Sequence, residues 1–150
     1  MERTLILMRH GHHEASQAGL SPFGQQQVTS VAEQIMGSGV LPEVILYSPA
    51  QRTVETAERV SDVFGRLGHK PVLRQVEWLA ENSSASPLIE LLKTPDDLQR
   101  LMFVTHQPPI YGLTSMFLDP QKPGHAQAFA YKSDSWKGYL SPTPFKQWAP

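Results

Sequence analysis

The sequence predicts an α/β fold in a single domain, residues 1–150, with a mostly parallel sheet and helices on both faces. Three observations predict it. Short apolar runs recur at residues 4–8, 44–47 and 101–104, with a weaker one at 71–76, and such runs without polar alternation suit strands buried on both sides. Between them, apolar residues fall at i, i+3, i+4 and i+7, the spacing of an amphipathic helix. Strands alternating with helices need crossover connections, which join parallel neighbours. With 150 residues, 40% of them hydrophobic, the chain can close one buried core.

Taken in order, Thr4-Leu5-Ile6-Leu7-Met8 is the first strand, and it stops abruptly at Arg9-His10-Gly11. Ser21 followed by Pro22 is an N-cap and first-turn signature. Val28, Val31, Ala32 and Ile35 give the helix after it one apolar stripe, ended near Gly37 and Gly39. Val44-Ile45-Leu46-Tyr47 is the second strand. Ser48-Pro49 then reads as the cap and first turn of a helix carrying Ala50, Thr53, Ala57, Val60 and Phe64, closed by Gly65 and Gly68. Residues 71–76 are a third strand of imperfect alternation. Residues 87–93 predict a short helix, and Thr94-Pro95-Asp96-Asp97 opens another turn with capping-box spacing. Leu101-Met102-Phe103-Val104 is the fourth strand, leading to Thr105-His106. Pro108 and Pro109 suit the start of a helix whose apolar face is Ile110, Leu113 and Phe117. After Asp119 prolines accumulate, and the tail is expected to add an edge strand or hairpin, its strand at residues 128–132, plus irregular chain on the same domain.

Lys+Arg 13 against Asp+Glu 14 leave a formal charge of −1, so no basic field favours nucleic acid or an anionic membrane. The absence of cysteine excludes disulfides, thiolate metal sites and cysteine nucleophiles, and suits a reducing compartment. The apolar run before Arg9 is too short for a secretory leader, and no stretch approaches the roughly 20 apolar residues that span a bilayer. The expectation is a cytoplasmic monomer.

Ligands of open α/β sheets sit beyond the carboxyl ends of the strands. Three of those ends carry reactive residues: Arg9-His10 after the first strand, Ser48 to Arg52 after the second, and His106 after the fourth. Two arginines, two histidines and helix N-termini converging on one crevice suit a tetrahedral oxyanion, with phosphate the natural guest. One imidazole, neutral at its attacking nitrogen, can be a nucleophile toward phosphorus, and the other can donate to the phosphoryl oxygens. Ser48 lacks a GxSxG context and is read as a helix cap rather than a nucleophile. Arg52 has the plainer alternative of a surface ion pair with Glu55. His12 and His13 beside His10 raise a metal-site alternative. Against it stand the lack of cysteine, the lack of HExxH spacing and two arginines that repel a cation; no metal and no cofactor are expected. His69 and His125 read as surface residues, and Trp78, Trp136 and Trp148 as packing or rim residues.

Leu7-Met8-Arg9-His10-Gly11 resembles the RHG signature of the histidine phosphatase superfamily, the phosphoglycerate-mutase-like family. Leu20-Ser21-Pro22-Phe23-Gly24-Gln25-Gln26-Gln27 is similar to its LTxxGxxQA stretch. Ser48-Pro49-Ala50-Gln51-Arg52-Thr53-Val54-Glu55-Thr56-Ala57 is similar to SPxxRAxxTA, and Val104-Thr105-His106-Gln107-Pro108 to VxHxP. The four motifs stand in family order over roughly residues 4–118. The resemblance implies that His10 is transiently phosphorylated and that Arg9, Gly11, Arg52 and His106 bind the phosphoryl group. Leu79-Ala80-Glu81 resembles the LxE motif, which makes Glu81 the candidate leaving-group acid, with Glu77 second.

The small size, the short connection over residues 77–99 and the late Ser141-Pro142 resemble the SixA-type phosphohistidine phosphatases. The partner this implies is a phosphorylated protein, for instance a histidine phosphotransfer domain, with a small phosphate ester as the alternative substrate. One position departs from the pattern: SixA-type chains often carry an arginine in RPLxxxG, and here Ala18-Gly19-Leu20 has none. A binding module that recognises phosphorylated partners without turnover is the reading from another class, and the intact Arg9, His10, Arg52 and His106 set argues against it. A mutase must keep its phosphoenzyme from water, and so short a chain is poorly equipped to do so.

Overall fold

The computed structural model describes residues 3–39, 41–80, 100–106, 128–133, 137–141 and 146–148. Among the described residues seven strands form one sheet: β1 (Arg3–Arg9), β2 (Val44–Tyr47), β3 (Val72–Gln75), β4 (Arg100–Thr105), β5 (Ala128–Ser133), β6 (Lys137–Ser141) and β7 (Lys146–Trp148). Their spatial order is β3-β2-β4-β1-β5-β6-β7. β1 to β4 run parallel, as expected, with Met8 opposite Val104 and Tyr47 opposite Val104 in their two pairings. The strand expected in the tail is β5, and of the two expectations, an edge strand or a hairpin, the tail meets the second, with β5 inside the sheet and β6 folded back on it. β5 lies against β1, antiparallel, and β6 and β7 continue as an antiparallel meander. Three residues separate β5 from β6 and four separate β6 from β7, too few for a crossover, so these consecutive strands run antiparallel.

Two helices are described, α1 (Pro22–Gly37) and α2 (Gln51–Gly65). α1 starts where the sequence places it: Ser21 accepts a hydrogen bond from Gly24 N, and Pro22 occupies the first turn. Its apolar stripe Val28, Val31, Ala32 and Ile35 joins Ala57, Val60, Val63 and Phe64 of α2 over one face of the sheet, on Ile6, Met8, Ile45, Met102 and Val104. Each fully buried aliphatic side chain contributes about 1.5–3 kcal/mol. The Arg66–Glu33 ion pair between the helices is half exposed and belongs to a class worth about 0–1 kcal/mol. The apolar stripe therefore docks the helices. On the opposite face Leu7 and Phe103 are buried, and a 3₁₀ turn, Glu77–Leu79, lies against β4, with Leu79 buried, Thr105 Oγ1 donating to Leu79 O, and the Trp78 and Phe103 rings meeting edge to face. The helices expected at 87–93, 94–97 and 108–117 lie outside the described residues. No helix among the described residues is long and apolar enough to cross a membrane.

Sheet order is what gathers the reactive strand ends. β4 lies between β1 and β2, so the segment after β4 is flanked by the segments after the other two. The ladder runs on into those segments, with His10 N donating to Thr105 O at 3.1 Å and Ser48 N to Val104 O at 3.2 Å.

Candidate active site

The loop after β1 is clamped onto the start of α1. Ser21 N donates to His12 O and His12 N donates to the Gln27 side-chain oxygen, both near 3 Å. The approach is close enough to require glycine twice. A Cβ on Gly11 would lie 2.7 Å from Val28 Cγ2 and 2.9 Å from Gly24 O, and one on Gly24 would lie 2.0 Å from His12 O. Gly11 N also donates to Thr56 Oγ1 at 3.1 Å, and that hydroxyl donates to Arg52 O at 2.7 Å. A single threonine thus links the His10 loop to the turn of α2 that carries Arg52. Gly24 and Gln27, read only as motif letters, are residues that hold the backbone of the loop after His10.

His10 and His106 are 3% and 2% exposed, and their rings meet edge to face with centroids 5.3 Å apart. His10 Nδ1 lies 2.7 Å from Gly11 O. A carbonyl only accepts, so Nδ1 carries the proton and the neutral ring keeps its lone pair on Nε2. Burial pushes the His10 pKa down from 6.5 to about 3; the Gly11 hydrogen bond opposes this, and the charges of His106, Arg9 and Arg52 add to it. The structure therefore brings Arg9, His10, Arg52 and His106 into one electrostatic neighbourhood, the first and third half-buried.

This shift has a stability consequence. Below pH 6.5 the unfolded chain protonates this imidazole and the folded one does not until about pH 3, so folding loses stability as pH falls through that window. At pH 5 the loss is about 2 kcal/mol. His10→Gln is expected to remove that part of the slope, so urea titrations of the variant and wild type should converge toward acid pH; parallel curves from pH 7 to 4.5 would show that His10 titrates normally.

The Ser48 expectation is corrected. Ala50, not Ser48, is the N-cap residue of α2, and no side chain caps that helix. Ser48 is fully buried, with Oγ 2.6 Å from His106 Nε2 and 2.7 Å from Thr53 Oγ1. Sequence reasoning missed Ser48 and Thr53 as site residues, because a contact across 58 positions leaves no periodic or spacing signal.

The remaining candidates fall elsewhere. Glu81 lies outside the described residues, and Glu77 is exposed on the 3₁₀ turn. His13 is close to His10, with ring centroids 5.5 Å apart, and its Nδ1 faces the Glu14 and Gln17 carbonyls; His12 Nδ1 faces Ser21 Oγ at 2.7 Å. Among the described residues no group of three metal-ligating side chains comes together. Glu55 does not pair with Arg52 in any described contact: its Oε1 accepts from Leu20 N and its Oε2 from Gln51. Its carboxylate thus borders Gly19, beside the position where an arginine was missed. His69 is half-buried rather than a simple surface residue, packing on Phe64 and bonding Pro42 O. A cleft of about 450 Å³ between α1 and α2 is lined by Leu20, Gln25, Thr29, Glu55 and Arg59, and not by Arg9, His10, Arg52 or His106.

The fold and the site together describe a phosphoglycerate-mutase-like α/β protein whose parallel strand ends gather two imidazoles and two guanidinium groups. The chain belongs to the histidine phosphatase superfamily, branch 1, whose family model matches residues 5–81. Among solved structures it is similar to an Agrobacterium tumefaciens protein that carries the name phosphohistidine phosphatase SixA, with a TM-score of 0.77, 18% identity, and 91% of this chain and 94% of that chain covered. The protein histidine phosphatase SixA complexed with tungstate gives 0.75 and 19%, over 93% and 97% of the chains. Phosphoserine phosphatase from Entamoeba histolytica, in complex with 3-phosphoglyceric acid, gives 0.59 and 17%, over 97% of each. Likeness at these identities concerns the fold. Comparison with curated proteins gives no match.

Proposed function

We propose that the protein is a phosphatase that works through a phosphohistidine intermediate on His10, without metal or cofactor, and that its substrate is a phosphohistidine carried by a partner protein. One observation supports the reading above the others: a buried imidazole, held neutral with its lone pair on Nε2, among the charges of Arg9, Arg52 and His106. In this scheme His10 Nε2 attacks phosphorus in line, and the bond from phosphorus to the leaving nitrogen or oxygen breaks. Water then attacks the phosphohistidine, releasing inorganic phosphate and restoring His10. Arg9, Arg52 and His106 hold and neutralise the phosphoryl oxygens, and positioning with charge compensation is most of what this reaction requires; the phosphate-binding role expected for Gly11 is corrected, because its N–H goes to Thr56 Oγ1 and its carbonyl accepts from His10 Nδ1.

The near-complete mutual coverage with the two SixA structures favours the protein-borne substrate. The phosphoserine phosphatase likeness, together with a carboxylate rather than an arginine beside Gly19, favours a small phosphomonoester as the second reading. Turnover of a phosphorylated histidine phosphotransfer domain, measured against a panel of phosphate esters, separates them. A rapid quench with a labelled phosphodonor tests the shared intermediate, since a mere binder traps no acid-labile phosphoenzyme.

Leaving-group chemistry gives a second test. An alkoxide needs a proton to depart, whereas an imidazole protonated at its other nitrogen leaves as a neutral ring. Glu81→Gln is expected to slow ester hydrolysis by about 10²-fold or more and phosphoramidate hydrolysis much less. Equal losses on the two substrates would remove Glu81 from the acid role.

A further inference from the structure

We infer that Ser48 and Thr53 are positioning residues that hold His106 in the tautomer with its proton on Nε2. The inference follows from counting donors. Thr53 Oγ1 lies 2.7 Å from Ser48 O and 2.8 Å from Ala50 O. Both are carbonyl oxygens and can only accept, so the single Thr53 hydroxyl proton is directed at them. With that proton committed, the 2.7 Å contact between Thr53 Oγ1 and Ser48 Oγ is a hydrogen bond only if Ser48 donates. Ser48 Oγ then has lone pairs alone to turn toward His106, and the 2.6 Å contact requires Nε2–H as the donor. Running the chain the other way, with Thr53 donating to Ser48 and Ser48 to the imidazole, would leave Thr53 Oγ1 2.7 and 2.8 Å from two carbonyl oxygens with a proton for neither.

All three side chains are buried, Ser48 and Thr53 completely, so water does not compete for these bonds and the order of donation persists. The backbone carbonyls at the start of α2 thereby dictate the state of an imidazole 58 residues away from Ser48. The consequence for chemistry is definite. A second proton taken up by His106 goes to Nδ1, and any hydrogen bond His106 gives to a phosphoryl oxygen beyond the one on Ser48 comes from Nδ1–H of the imidazolium. In the resting protein the relay orients the ring edge-on to His10 before a substrate arrives. The kinetic consequence rests on the phosphatase reading above; the tautomer does not.

The test uses the whole chain as wild type, Ser48→Ala, Thr53→Val and Thr53→Ser, with no ligand. Imidazole ¹⁵N and ¹³C shifts at about pH 8, where an ordinary histidine is neutral, report which nitrogen of His106 is protonated. Wild type and Thr53→Ser are expected to show Nε2–H, and Ser48→Ala and Thr53→Val a mixture of tautomers. Kcat on the best substrate is expected to fall about 10- to 100-fold in Ser48→Ala and Thr53→Val, the range seen when the partner that orients a functional imidazole is removed. KM should change less, and Thr53→Ser should stay near wild type. A wild-type His106 protonated on Nδ1 alone overturns the inference, as does an unchanged tautomer in Thr53→Val. Thr53→Val keeps the shape of the core, so it carries the readout if Ser48→Ala does not fold. Absence of phosphatase activity on every substrate would strike the proposed function and leave the tautomer result standing on its own.

Discussion

His10→Ala is expected to lower turnover by about 10⁴-fold or more while inorganic phosphate still binds. The two halves of this result have different origins. The reaction needs a lone pair on Nε2, and His10 is the buried imidazole whose Nδ1 proton is fixed on Gly11 O at 2.7 Å. Binding needs positive charge and donors, and those belong to Arg9, Arg52 and His106, whose fields already act on His10. Removing the ring also removes a buried neutral group, so the variant should fold. Steady-state hydrolysis with calorimetry of phosphate binding measures both halves, and a quench experiment should find no acid-labile phosphate on the variant. Hydrolysis at the wild-type rate would eliminate His10 as the nucleophile and with it the covalent route.

Gly24→Ala is expected to destabilise the fold by about 3 kcal/mol and to take most of the activity with it. The new methyl would stand 2.0 Å from His12 O and 2.8 Å from His12 N. These are backbone atoms, so no side-chain rotation relieves the overlap; either α1 backs away or the loop that follows His10 moves. Motion of that loop breaks the Ser21–His12 and Gln27–His12 bonds and displaces His10. Gly37→Ala, at the other end of the same helix, meets nothing within 4 Å and should change stability by less than about 1 kcal/mol, in the stabilising direction. Urea unfolding of the two variants, side by side with kcat, checks the contrast. Equal stability in both would mean that the close approach of loop and helix is not maintained in solution.

The parallel half of the sheet and its two helices were readable from local pattern, because burial on two faces gives continuous apolar runs and burial on one gives a helical stripe. Val28, Val31, Ala32 and Ile35 all enter the core. The antiparallel tail was only partly legible. Strands at 137–141 and 146–148 carry glycine, serine and lysine and show little alternation, so their pairing is set by adjacency to β5 rather than by their own composition. The position of β4 between β1 and β2 is likewise a matter of long-range pairing that no window of sequence contains. At the site, Arg9, His10, Arg52 and His106 stood out because they follow apolar runs or fall in motifs. Ser48 did not, because Ser-Pro before a helix carries the local signature of a cap, and its actual partners are a threonine five residues on and a histidine just past the end of another strand.

The first two turns of α2 divide their labour by side. Thr53 and Thr56 point into the interior, where one reaches Ser48 and the other Gly11, while Gln51 and Glu55 hold the backbone of Leu20 at the outer lip. The interior network and the outer lip are therefore encoded by interleaved letters of one helical segment. A side chain exchanged at Gln51 or Glu55 would reshape that lip and leave the bonds of Thr53 and Thr56 as they are.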